Sequence, residues 1–134
     1  MGGVARWVPA CYGLEVAGSS FIEHKGKRIL RLDYTGLTPS EILAFMREAQ
    51  QVIAAEPKRS VRLLSIAPRH VTSEVIGALK GFAAHNAPFV VASAIVGATS
   101  FQKAAIMLTI SGQGRLDVEA FDDEEPAKEW LAAT

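Results

Sequence analysis

A single cysteine, few aromatic residues and no net charge bound what this chain can be. The 134 residues hold one Cys, Cys11, so an internal disulfide or a cysteine metal knuckle is excluded. That usage fits a reducing, cytoplasmic setting. Lys+Arg and Asp+Glu each number 14, so the chain lacks the excess positive charge that a nucleic-acid backbone selects, and nucleic acid is set aside as a partner. The longest strongly apolar stretch, Phe89 to Ala98, is too short to span a bilayer. No charged start followed by an apolar run marks a signal peptide, and Arg6 stands where an N-myristoylation signal needs Ser or Thr.

What the chain does have is apolar residues, 49% of the total against 21% charged. That suffices for one core in one domain without staples. Residues 1–18 are broken by Gly2, Gly3, Pro9, Gly13 and Gly18 and read as an N-terminal arm in which Trp7 and Tyr12 are free to lie on the body. Residues 19–134 read as a single domain.

Within it, "SFIEHKGKRILRLDYTG" predicts a β-hairpin turning at Lys25-Gly26-Lys27. "LTPSEILAFMREAQQVIAAEP" predicts a helix with Thr38 as cap, Pro39 in the first turn and Glu41 completing a capping box; Leu37 and Ile42 are spaced for a hydrophobic staple. "SVRLLSIAP" predicts a strand, "TSEVIGALKGFAAHNAP" a helix capped by Thr72, and "FVVASAIVG" a central strand covered on both faces. A further helix is expected from Phe101 to Ile110, stopping at Gly112, then an edge strand in "RLDVEAF" and a final helix in "DDEEPAKEWLAA". The order β-β-α-β-α-β-α-β-α implies an α/β fold: a mixed, mostly parallel sheet with an N-terminal hairpin and alternating helices.

Catalytic and ligand motifs are sparse. The break at Gly97 in "VGATSFQKA" has neither the GxxxxGK[ST] nor the GxGxxG spacing of a phosphate loop. Thr99 and Gln102 have capping-box spacing, so the helix amides are expected to be satisfied internally. His24, His70 and His85 fall in three elements without metal-pair spacing, and His70 reads as a solvated loop residue. The run Asp122-Asp123-Glu124-Glu125 lacks the glycine and ligand alternation of a calcium loop and reads as an acidic helix start. Lys25, Lys27, Arg28 and Arg31, and separately Lys58, Arg59 and Arg62, read as solvated faces. No nucleophile–base set or GxSxG elbow is present, so neither an enzyme nor a cofactor is expected.

Two candidate sites remain. Ser73, beside the capping Thr72, is a phosphosite candidate, because a phosphate there would meet helix amides and the dipole. The second is on the helix after Gly97. With about 100° per residue and Gln102 at zero, Phe101, Ala105 and Leu108 cluster near about 270° and are expected on the sheet. Ile106 and Ile110, near about 40° and 80°, are expected to point outward beside Lys103 and Met107, forming a contact patch for a second copy, another protein or a membrane.

"IEHKGKRILRLDYTGLTP", "EVIGALKGFAAHNAPFVVASAIVGATSFQKA" and "VEAFDDEEPAKEWL" resemble the bacterial STAS-like proteins called SpoIIAA-like, over about residues 20 to 133. The resemblance implies helices packed on a mixed sheet. It also implies a non-enzymatic regulatory module that binds another protein, as in anti-sigma factor antagonists, or, alternatively, a CRAL-TRIO-like carrier of a lipid or other apolar small molecule. In the phosphoswitch proteins an Asp precedes the modified Ser; here Thr72 occupies that place, so Ser73 is not expected to be a dedicated switch. The two functional readings separate at the helix after Gly97. Protein binding requires an exposed apolar stripe on a closed core, and carriage requires an internal apolar cavity beneath that helix.

Overall fold

Five strands lie side by side in the order in which the chain makes them. They belong to a computed structural model that describes residues 19–111 and 117–134; the N-terminal arm, the expected stop at Gly112 and the first residues of "RLDVEAF" fall outside the described residues. The elements are β1 (Ser19–His24), β2 (Lys27–Asp33), α1 (Pro39–Ala54), β3 (Val61–Ile66), α2 (Ser73–Asn86), β4 (Val90–Val96), α3 (Ser100–Ser111), β5 (Val118–Phe121) and α4 (Glu124–Ala132). β1 and β2 are antiparallel, and β2 to β5 run parallel. The fold is therefore the α/β architecture expected from the sequence, with β5 at the edge.

Local chemistry explains most of the element ends. The hairpin turns through Lys25 and Gly26, at φ of 51° and 79°. Two successive positive φ values match the right-handed twist of the strands, and Gly26 takes its value without a steric cost. At α1 the Thr38 hydroxyl accepts from the Glu41 amide at 3.2 Å, and the Glu41 carboxylate accepts from the Thr38 amide at 2.8 Å. The capping box is thus complete. Leu37 and Ile42 pack in the same apolar cluster, as a staple requires. Thr72 caps α2 through the Val75 amide.

The sheet has two differently covered faces. Because the order is sequential, α1, α2 and α3 all cover one face, packed on Leu30, Leu32, Leu63 and Ile95. α4 alone covers the other, with Ala127 and Leu131 against Ile29, Leu64, Ala92, Ala94 and Val96. Neighbouring strands align residues on the three-helix face into rows. One runs Phe21, Leu30, Leu63, Ser93, Val118, and the next runs Ser19, Leu32, Ser65, Ile95, Ala120. The first row meets a serine at Ser93 on β4, and the second at Ser19 on β1 and Ser65 on β3. Among the described residues, no helix is long and apolar enough to cross a membrane.

Candidate functional site

Ser65 and Ser93 lie diagonally across adjacent strands, where a leucine or valine would fill the layer. Above them the packing does not close. A cavity of about 70 Å³ remains between the sheet and the three helices. Its floor is Leu63, Ser65, Ser93 and Ile95; α1 contributes Ile42 and Met46, α2 contributes Val75, Leu79 and Phe82, and α3 contributes Ile106 and Ile110. The space is partly open to the surface, and its lining is largely apolar. A sequential sheet has no topological switch point to open a crevice at its edge, which leaves the space between layers as the place for a ligand.

Two more polar groups join the two serines in the wall. Asn86 is 1% exposed, and its carboxamide oxygen lies 2.9 Å from His85 Nδ1. Tyr34 follows β2; its amide donates to the Ile66 carbonyl at 3.1 Å, and its ring meets Phe45 edge-on with centroids 5.1 Å apart. Tyr34 is 5% exposed, and burial pushes its phenol above the ordinary range. Among the described residues, no hydrogen bond reaches the Tyr34 hydroxyl.

α3 forms the outer wall, and here the sequence expectation is corrected. Ile106 and Ile110 are each 7% exposed and pack with Ala83, Ile95, Ala98 and Val118. Leu108, expected on the sheet, is 77% exposed. Met107 is half-buried against the same cluster as the isoleucines. The helix is apolar on every side, so its phase is set by what it packs against rather than by a polar stripe. Gln102 and Lys103, taken as signs of a solvent face, instead make bonds at its rim. Lys103 Nζ lies 3.3 Å from Asp122 Oδ1. Gln102 receives the Thr99 amide on Oε1 at 2.9 Å and points Nε2 at the Pro68 and Arg69 carbonyls, 3.5 and 3.4 Å away. One side chain thus closes the capping box and ties α3 to the loop before α2, at the edge of the cavity.

The same bonds settle the role of Gly97. Its amide donates to the Phe121 carbonyl at 3.0 Å and its φ is 81°, so it ends β4 while still paired to β5. The Gln102 amide donates to Thr99 Oγ1 at 3.1 Å. These amides are occupied by the protein itself, and the strand-to-helix turn is structural.

The remaining charged candidates hold the fold together. Arg31 grips Glu124 with two bonds, at 3.1 and 2.7 Å, with Asp33 3.7 Å away. The Arg31 hydrogen bond, the largest influence, draws the Glu124 carboxyl below its ordinary range. Lys25 and His24 both reach Glu129, at 2.6 Å each, and the Lys25 bond is the main reason that this carboxyl also sits low. Arg62 donates to the Leu131 and Thr134 carbonyls, Lys27 to Thr134, and Arg59 to Val90. Arg28 pairs with Glu56 and stacks 3.6 Å from the Phe21 ring centroid, within a wider surface depression of about 230 Å³ whose charges answer one another. Among the described residues, Lys58 is the member of the two basic groups for which no such tie is found. Glu124 and Glu125 stand in the first turn of α4 as expected. His70 is exposed, and Ser73 is exposed at the first residue of α2. Among the described residues, no three His, Cys, Asp or Glu side chains gather as a metal site.

The cavity's polar wall was not anticipated. Its signal was present as two serines inside otherwise apolar strands, but only the register across β2 to β5 places them under one space. No family model, no curated protein and no solved structure matches the chain.

Proposed function

We propose that this domain is a non-enzymatic, STAS-like binding module that carries or senses a compact apolar small molecule between its sheet and α3. One observation carries the reading: Ile106 and Ile110 line an apolar cavity instead of standing in solvent. Of the two readings drawn from the sequence, carriage required the cavity and protein binding required the exposed stripe. The volume of about 70 Å³ further favours a compact occupant. An apolar cavity of about 150 Å³ accepts a benzene ring, so a longer lipid chain would enter here only if α3 swung outward.

Native mass spectrometry of the full chain purified from cells tests this. The expected result is a small-molecule mass increment that disappears on denaturation and is reduced by Ile106→Trp, which fills the space. A chain free of small molecules but dimeric, or held by another protein, would replace this reading with the protein-interaction one.

A further inference from the structure

We infer that the Tyr34 hydroxyl is the recognition donor of this cavity, so that its ligand is an apolar molecule bearing a hydrogen-bond acceptor such as a carbonyl or ether oxygen. The inference rests on the binding function proposed above and specifies its ligand. The Tyr34 hydroxyl is not one of the sealed-off polar atoms of the described residues, so it is open to a partner that a largely apolar wall does not otherwise provide. Tyr34 lies in the cavity wall, is 5% exposed, and its hydroxyl is met by no hydrogen bond among the described residues. The backbone bond from its amide to Ile66 and the edge-on contact with Phe45 hold the ring in place. The donor is therefore positioned before any ligand arrives, which reduces the ordering cost of binding.

The surroundings set the rest of the ligand's chemistry. Ile42, Met46, Leu63, Val75, Ile106 and Ile110 offer only dispersion and apolar contact. Among the described residues, no Asp, Glu, Lys, Arg or His lines the space, so a charged ligand would lose its hydration without an ion to replace it. An acceptor oxygen on a short hydrocarbon body satisfies both requirements. Water is the competing occupant, since Ser65, Ser93 and Asn86 also line the space.

A matched pair of probes separates these possibilities. Acetone and 2-methylpropene, four heavy atoms each, differ by the exchange of a carbonyl oxygen for a methylene group. Each is titrated into the full chain while the Ile106 and Ile110 methyl resonances are followed by NMR. The expected result is that both perturb these methyls, that the ketone binds more tightly, and that Tyr34→Phe weakens the ketone by roughly five- to tenfold while leaving the alkene unchanged. Tyr34→Phe keeps the ring against Phe45, and a thermal melt confirms that the variant is folded; should it not fold, the Tyr34 ring resonances of the unmodified chain decide, since a shift with the ketone and none with the alkene supports the inference and equal shifts overturn it. Equal affinity for the two probes, or an unchanged ketone affinity in Tyr34→Phe, overturns the inference while leaving the binding function standing. Failure of both probes to move the methyls removes the binding function itself.

Discussion

The two faces of the sheet are covered by different physics. α4 packs Ala127 and Leu131 on a sheet face that includes Ala92 and Ala94 of β4, and is held at its start, middle and end by Arg31, by His24 with Lys25, and by Arg62. The opposite face is covered by three helices through apolar contacts, and it is the one with a space left in it. A helix fastened by charge leaves nothing for a ligand to displace. A layer held by non-directional apolar contact can tolerate a void and can part to admit a guest. The difference places function on the three-helix side and fastening on the other.

The strongest way to break this contrast is to empty the three-helix side. Ile106→Ala combined with Ile110→Ala is expected to cost about 4 kcal/mol, with tolerance of neighbouring groups to collapse setting the exact loss. Denaturant melts would show it, and an unchanged midpoint would mean that α3 does not bear on the core. Filling the space should act in the opposite direction. Ser65→Val places apolar volume on the cavity floor and is expected to raise stability by about 1 kcal/mol while abolishing uptake of acetone. A lower midpoint would show that the region around Ser65 is already full.

Next in size is the cap that starts this layer. Thr38→Ala is expected to cost about 1 kcal/mol and Glu41→Ala less, since the first removes the oxygen that accepts the Glu41 amide and the second only the returning arm. Equal losses in the two variants would mean that the two arms matter alike.

The smallest effect belongs to the charged side and is distinguished by its dependence on conditions. Glu124 has its carboxyl drawn below the ordinary value chiefly by the Arg31 hydrogen bond. A depressed folded-state value contributes stability above the unfolded carboxylate pKa, and that contribution is lost as pH falls through the folded value. Glu124→Gln should therefore cost a few tenths of a kcal/mol near neutral pH and reduce the loss of stability between roughly pH 5 and pH 3. About 1 M salt should shrink the difference from the parent chain. The isoleucine variants should show no such dependence, and a similar salt response on both sides would erase the contrast.

α1 and α3 show how far the sequence could be read. In α1 the cap, the proline and the stripe of Ile42, Met46, Ala49 and Ile53 all agree, and all are found as expected. In α3 the cap at Thr99 and Gln102 was legible, but the phase was not. Ala104, Ile106, Met107, Leu108 and Ile110 distribute apolar surface around the helix, so no periodicity selects the buried side. Polar Gln102 and Lys103 pointed the wrong way, because long side chains can serve a rim while their helix face is buried.

The sequence by itself determined the order of elements, the hairpin turn at Lys25-Gly26, and the caps at Thr38, Thr72 and Thr99. Each depends on bonds among residues a few positions apart, which the local chain dictates. Only the tertiary structure decided which side of α3 is buried, that Ser65 and Ser93 share one floor, and that Tyr34 stands beside them. These residues are joined by sheet register and by packing across 76 positions of chain, from Tyr34 to Ile110, and nothing in local periodicity encodes a space between layers.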